Sequence, residues 1–297
     1  MSKIKAYIRS FRLRTLPLSV AGIVLGTMLA AADGAFHVGR FVLAVLTVLL
    51  LQILSNVANE LGDTLHGTDS DERQGMVYSL QSGEISIAAM KRLIIWLVAL
   101  SMLSGAALVA TSFGALFSRE GVVMLLLGAL AIAAALGYTL GRHPYGYMGL
   151  GDLSVFLFFG LLSTVGGYFL MCWQVDWRVV LPASACGLWA VGVLNINNIR
   201  DMESDRKNRV TIPILLGERG AKVYQCLLEL LPFVLLVVYS TLRQTPYSYL
   251  VLIFLPLYVA HLYGVWHARG RELDGRLPQL SMLTVASCIA FGALQLL

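Results

Sequence analysis

Three stretches, Phe41–Ser55, Leu93–Ser112 and Val122–Tyr138, each run for fifteen to twenty residues without a charged side chain. At 1.5 Å per residue, a helix of that length crosses most or all of a hydrocarbon core ~30 Å thick. The apolar residues do not alternate with polar ones, so these are helices and not the strands of a barrel. The composition agrees: 58% of the 297 residues are hydrophobic and only 13% charged, where an average soluble chain has about a quarter charged. The pattern predicts an all-α polytopic membrane protein with nine spans, at 15–33, 41–60, 92–113, 121–140, 152–172, 179–200, 220–242, 247–266 and 279–297. The basic start, MSKIKAYIRSFRLRT, lacks a cleavage site, so the first span is expected to be retained.

Lys and Arg orient the spans. With the N-terminus in the cytoplasm, 18 of them fall on the cytoplasmic side and four (Arg40, Arg119, Arg178 and Arg243) on the other. That asymmetry is the positive-inside pattern. It accounts for the net charge of +5 without a nucleic-acid partner. An odd number of spans then places Leu297 outside. Cys172, Cys186, Cys226 and Cys288 are scattered through apolar runs with no CxxC spacing, so neither a metal site nor a disulfide is expected.

Against this background two polar helix ends stand out. The second span ends in Asn56, Asn59, Glu60 and Asp63, and Asp69, Asp71, Glu72 and Glu84 follow. The sixth ends in NINNIRDMESDRKNR, with Asn195, Asn198, Asp201 and Asp205. Positions i, i+3 or i+4 and i+7 share one helix face, so each end carries a stripe of amides and carboxylates, and both stripes emerge on the same side. The likeness suggests a weak internal duplication offset by about 139 residues. Such groups are costly in a bilayer unless they line a cavity and find partners. Facing carboxylates repel unless a cation lies between them. Oxygen donors without His or Cys suit Mg²⁺, which is commonly held by a few carboxylates plus a substrate phosphate. Arg73 follows the first stripe, and Arg206, Lys207 and Arg209 the second. Acid, metal, anion and base in that order fit a diphosphate whose other end is a lipid. For Asp71, Glu72 and Glu84 a solvated surface is an open alternative.

At these residues the chain resembles the UbiA superfamily of intramembrane prenyltransferases, whose two acidic motifs appear as Asn59-x3-Asp63 and Asp201-x3-Asp205. The likeness runs through RLRTLPLSVAGIVLGT, LQILSNVANELGDTLHGTD, YTLGRHPYGYMGLGDLSVFLFFG and LNINNIRDMESDR. The GTD after the first motif and PYGYMGLGD resemble the branch that prenylates 1,4-dihydroxy-2-naphthoate. The resemblance implies a single transmembrane prenyltransferase domain over 1–297, a UbiA-type bundle around a central cavity open to lipid. It implies transfer from a polyprenyl diphosphate to the naphthoate with loss of CO₂ and diphosphate, giving demethylmenaquinol for menaquinone synthesis. The site would face the cytoplasm from a bacterial inner membrane. Implied Mg²⁺ ligands are Asn59, Asp63, Asn198, Asp201 and Asp205, with Glu60 and Asp69 as further candidates. Asp63, Asp201 and Asp205 are the implied catalytic carboxylates, and Arg73, Lys207 and Arg209 the diphosphate contacts. The chain departs from the family in having Glu60 where Asp is usual, GMVYSL after Arg73, and RKNRVTIPILLG after the second motif.

For the aromatic acceptor, the turn-rich loop after the fourth span offers Arg142 for the carboxylate and Tyr138, His143 or Tyr145 for the ring hydroxyls. Arg142 as a topological anchor and the tyrosines as interfacial residues are the alternatives. Asp152 reads as an N-cap or an active-site group, and Glu229, at membrane depth, as a cavity residue or a paired structural acid. Gln52 and His261 read as interhelical hydrogen-bonding groups. Pro232 and Pro256 predict kinks, and Ser104–Ala107 and Gly166–Gly167 close helix packing. Two other functions remain open on the residues alone: the same chemistry on another acceptor such as 4-hydroxybenzoate, and an ion-coupled transporter.

Overall fold

The computed structural model describes residues 3–67, 79–80 and 82–297. Among the described residues nine helices are long and apolar enough to span a membrane. A short basic helix, α1 (Lys3–Ser10), precedes them. The spans are α2 (Leu16–Ala32), α3 (Val38–Leu65), α4 (Ile87–Phe113), α5 (Arg119–Gly137), α6 (Gly151–Cys172), α7 (Trp177–Arg200), α8 (Ile212–Arg243), α9 (Pro246–His267) and α10 (Gly270–Leu294). Several begin where a hydroxyl caps the first turn: Ser86 Oγ accepts from the Ala89 N–H and Ser118 Oγ from the Gly121 N–H. Gly114, at φ +72°, ends α4 in the left-handed region that suits glycine.

All nine expected spans are present, but α3 and α8 are longer than hydropathy suggests. Asn59, Glu60 and Asp63 form the polar end of α3, but the helix runs past 60 to Leu65, with Glu60 and Asp63 buried in protein and not in lipid. Before the membrane portion of α8, Gly217 breaks the helix at φ +71°, ψ 167°. Pro232 lies inside α8. Pro256 stands in the first regular turn of α9, after the 3₁₀ stretch Pro246–Phe254, where a missing N–H costs nothing.

α7 is the most buried span and packs on α8, and α2 packs on α6 and α10. The contact with α6 depends on Gly22 and Gly26. A Cβ at Gly22 would sit 2.6 Å from the Phe159 carbonyl oxygen, and one at Gly26 only 2.1 Å from that of Thr164. Ser104, in the small-residue patch expected to pack closely, does meet α3, its hydroxyl 2.5 Å from Thr47 Oγ1. Of the other expected pair, a Cβ on Gly167 would meet the Ile23 carbonyl oxygen at 3.4 Å, whereas one on Gly166 would meet only Leu162 at 3.9 Å; both glycines also line a cavity. On one side α7, α8 and α9 close around Trp189, Phe233 and Tyr258, with ring centroids 5.1–5.5 Å apart. On the other, α3 and α4 pair through Leu54, Val57, Met90 and Leu97. Peripheral α5 has just one buried residue, Gly121. The four cysteines are unbridged.

Candidate active site

Both polar helix ends come to the same end of the bundle. Arg209 joins them: its Nη2 donates to Asp63 Oδ1 at 3.2 Å, and its Nε lies 3.3 Å from Asp205 Oδ1. One guanidinium thus spans a carboxylate from each motif. It also lies over the Tyr147 ring, 4.6 Å from the centroid, and the Tyr147 hydroxyl donates to the same Asp63 oxygen at 2.7 Å. Asp63 and Asp205 are buried, and charges so placed require partners of this kind. Asp201, equally buried, is held by Arg200 at 2.6 Å, which also contacts Asp274 at 2.7 Å.

The loop after α5 completes the cluster. It lies against α3 because Gly62 leaves room: a Cβ there would be 2.6 Å from the Thr139 carbonyl oxygen. Thr139 Oγ1 is 3.1 Å from both the Ala58 carbonyl oxygen and Asn59 Oδ1. The Val210 N–H donates to the Tyr147 carbonyl at 2.8 Å, pinning this loop to the one after α7. On the N-terminal side, Asn56 Nδ2 donates to the Phe11 carbonyl at 2.8 Å, docking the left-handed turn at Arg12 on α3.

These residues cap a cavity of about 390 Å³. Asn59, Asp63, Asn197, Asn198 and Arg209 line its polar end, and Ala44, Leu108, Val109, Met124 and Leu170 its far end. Along α3 the wall runs from Ala44 to Asp63, which at 1.5 Å per residue is ~28 Å. A turn of π-helix in α6, Phe156–Leu162, supplies Phe158, Phe159 and Leu162 to the wall. Such widened turns recur at functional sites.

The expected residues separate into groups. Asn59, Asp63, Asn198, Arg209, Tyr138 and Tyr145 line the cavity. Asp201 and Asp205 stand behind that wall in the arginine pairs just described. The Glu60 carboxylate accepts the Leu80 N–H at 2.7 Å and is not part of the cavity wall. Lys207 is exposed on the loop that carries Arg209. Arg142 and His143 are exposed and are not brought to the cavity. Asp69 and Arg73 lie outside the described residues, as do Asp71 and Glu72. Tyr145 supports the loop, its hydroxyl donating to the Ala134 carbonyl at 2.9 Å and meeting Tyr138 edge-on. Burial pushes the Tyr138 hydroxyl well above the usual phenol pKa, against the pull of Arg209; it remains a protonated donor at neutral pH.

Asp152 does not cap α6; it accepts from the Tyr224 hydroxyl at 3.1 Å. Glu229 is not in the cavity wall either. It is fully buried between Gln225 Nε2 at 2.8 Å and His261 Nδ1 at 2.9 Å, so it is the paired structural acid. Gln52 is not an interhelical group as expected: it donates to Asn56 one turn along the same helix at 3.1 Å and lines the cavity. Arg12 and Tyr147 are site residues that no sequence pattern signals. Arg12 is one of several basic residues before the first span. Tyr147 lies in a turn without periodicity, so nothing singles out the ring that reaches Asp63.

A UbiA prenyltransferase family profile matches residues 19–283. The chain belongs to the UbiA prenyltransferase family. It is 43% identical to the 1,4-dihydroxy-2-naphthoate octaprenyltransferase of Escherichia coli K12, over 92% of this chain and 88% of that protein. The Haemophilus influenzae enzyme of the same name is 39% identical, over 98% and 95%. Solved UbiA structures share the fold. The apo homologue from Aeropyrum pernix superposes with a TM-score of 0.67 at 21% identity, covering 95% of this chain and 97% of that one. The Archaeoglobus fulgidus homologue bound to GPP and Mg²⁺ gives 0.65 at 18%, covering 98% and 100%. The protein is thus a multi-pass membrane protein of the UbiA fold, with α2 to α7 and Leu277 of α10 lining the cavity.

Proposed function

We propose that this UbiA protein transfers a polyprenyl group from an allylic diphosphate to 1,4-dihydroxy-2-naphthoate, forming demethylmenaquinol for menaquinone synthesis. Its full-length similarity to two enzymes named for that reaction supports the choice of acceptor. The observation that carries the chemistry is the Arg209 bridge between Asp63 and Asp205 at the mouth of an apolar cavity. It puts a charged diphosphate end next to a space fit only for hydrocarbon. The catalytic unit comprises all nine spans.

The donor set fits Mg²⁺: buried carboxylates and amide oxygens, with no soft ligand among the residues that line the polar end. Asp63, Asn59 and Asn198 would hold the ion, with Asp201 and Asp205 beside them. When bound, Mg²⁺ supplies Lewis-acid neutralisation of the diphosphate. Arg209, with Lys207 on the same loop, stabilises the charge that grows on the departing oxygen as the allylic C–O bond breaks. The apolar wall keeps water from the allylic cation. The naphthoate ring carbon that bears the carboxylate attacks the cation. The carboxylate then leaves as CO₂, and its bonding electrons restore the aromatic ring. No net proton is exchanged when the acceptor binds as the carboxylate.

For the acceptor the structure favours a different cation from Arg142. Among the described residues the cavity wall carries two basic side chains, Arg12 and Arg209. Arg209 serves the diphosphate end, so Arg12 is assigned to the naphthoate carboxylate and Tyr138 to a ring hydroxyl. The 18-to-4 distribution of Lys and Arg supports placing the N-terminus and this site at the cytoplasmic face of a bacterial inner membrane. Mass spectrometry of the product made by purified protein from dihydroxynaphthoate, 4-hydroxybenzoate and a polyprenyl diphosphate tests the reading. A decarboxylated prenylnaphthoquinol is expected. A prenylated hydroxybenzoate as the main product would overturn the choice of acceptor.

A further inference from the structure

Arg200, the last residue of α7, has a guanidinium held on both sides, with its side chain only 9% exposed. Its Nε and Nη2 donate to the two oxygens of Asp201 at 2.9 and 2.6 Å. Nη2 also donates to Asn197 Oδ1 at 2.9 Å, and Nη1 to Asp274 Oδ1 at 2.7 Å. A planar fork gripped at both ends has little freedom left.

Asn197 is the residue that this grip orients. A guanidinium only donates, so the amide turns its oxygen to Arg200 and its NH₂ the other way. Among the described residues nothing accepts from that Nδ2, and it is not sealed inside the protein. Asn197 lines the polar end of the cavity, so its two N–H groups are presented there. Asn195, two residues earlier, differs. It is fully buried, and its Nδ2 donates to the Ala221 carbonyl at 3.1 Å and to Gln225 Oε1 at 2.7 Å.

The elements around Asn197 are not those that surround the diphosphate cation. Arg209 draws Asp63 and Asp205 together beside Tyr147, on the loop after α5. Asn197 is tied through Arg200 to Asp274, on the turn Gly270–Gly275 that packs on α7. The helix after that turn, α10, gives Leu277 to the cavity wall and packs on the turn Leu13–Thr15. Arg12 immediately precedes this second turn and lines the cavity.

We propose that Asn197 binds the acceptor, donating an amide N–H to the naphthoate carboxylate beside Arg12, and that Arg200 and Asp274 are positioning residues that aim this donor. This rests on the naphthoate reading. A carboxylate has lone pairs for both a cation and a neutral donor. A donor fixed before the ligand arrives pays no ordering cost on binding.

Asn197→Asp keeps an oxygen on Arg200 but turns an acceptor to the cavity. It is expected to raise KM for the naphthoate about tenfold or more, the scale of one hydrogen bond to a charged group, and to leave KM for the polyprenyl diphosphate within about twofold. Unchanged values, or a rise confined to the diphosphate, would overturn the proposal. Asp274→Ala should raise KM for the naphthoate about threefold with kcat unchanged, as suits a part-exposed ion pair. Asp274→Asn still accepts from Arg200 and should restore it. Equal damage to kcat, or no rescue, would remove the positioning role. A second measurement is independent of turnover. Calorimetry with 1-hydroxy-2-naphthoate and with 1-naphthol, which lacks the carboxylate, should show wild-type protein preferring the former and Asn197→Ala losing about tenfold of that preference. The same preference in both proteins, or none in the wild type, would sink the assignment. Failure of the wild-type protein to prenylate the naphthoate at all would instead count against the reading on which it rests.

Discussion

Asp63 shows what a single residue does here. Its carboxylate takes the Tyr147 hydroxyl and the Arg209 guanidinium on the same oxygen, so it is aimed and partly neutralised before substrate arrives. Asp63→Ala is expected to lower kcat by ~10²-fold or more, the scale of removing one fixed electrostatic group from an active site. The check is a turnover assay in membranes across a Mg²⁺ series. Tyr147→Phe removes one hydrogen bond to a charged acceptor, worth about 1.5–3 kcal/mol; it should lower kcat/KM roughly tenfold and raise the Mg²⁺ concentration needed for half-maximal rate. Arg12→Ala is expected to raise KM for the naphthoate about tenfold or more, the cost of a lost charged hydrogen bond, and to leave KM for the prenyl diphosphate within about twofold. Arg142→Ala should change neither, since Arg142 is exposed and away from the cavity. The two motifs could be read from spacing because they lie on helices, where position along the chain gives direction in space. Arg142 could be named from the sequence but not placed, because a Gly- and Pro-rich turn has no period that says which side chains point inward.

At the scale of elements, glycines decide where helices touch and where they stay apart. Gly26 sets α2 on α6, since a Cβ would meet the Thr164 carbonyl oxygen at 2.1 Å. Gly62 lets the loop after α5 reach α3, and Gly128 faces open space. In sequence the three look alike, and hydropathy predicts spans without saying which helix packs on which. The same limit explains the end of α3, where polar residues read as the edge of a membrane continue a helix because the protein itself surrounds them; the added start of α8 is a short helical stretch set off by the break at Gly217. Gly26→Leu is expected to destabilise the bundle by at least the 1–3 kcal/mol typical of overpacking, and to appear as lost detergent-extractable folded protein and a lower Tm. Gly62→Ala should act locally. It pushes Thr139 and with it Tyr147, so activity should fall more steeply than Tm. Equal losses in both would show that the loop contact is structural and does not orient Asp63.

The whole molecule has one end for chemistry and one that holds the spans together. Of the four arginines at the non-motif end, Arg40, Arg178 and Arg243 have partners at helix ends. Arg40 donates to the Leu170 and Met171 carbonyls at 3.2 and 3.3 Å. Arg178 pairs with Asp176 at 2.8 Å. Arg243 pairs with Asp33 and, at 3.3 Å, with Asp176, and the Tyr168 hydroxyl donates to Asp33 at 2.6 Å. These residues, exceptions to the charge bias along the chain, are thus a clamp joining α2, α6, α7 and α8. Burial raises the Asp176 carboxyl, but hydrogen bonds from the Arg178 side chain and N–H, with the charges of Arg178 and Arg243, outweigh it and hold its pKa below the usual carboxylate value. A carboxylate depressed in the folded state contributes stability that is present above its unfolded pKa, about 3.9, and lost as pH falls through the lower folded one. The clamp should therefore hold from neutral pH to near pH 4 and weaken below it. Arg243→Ala is expected to lower stability by on the order of 1 kcal/mol, as suits a half-exposed ion-pair network, and to flatten the acid end of a plot of Tm against pH. Because the clamp lies at the opposite end from Asp63 and Arg209, prenyl-transfer kcat/KM at neutral pH should stay within about twofold. A variant that lost activity while keeping its Tm would mean that the two ends are coupled, and that the clamp sets the cavity as well as the fold.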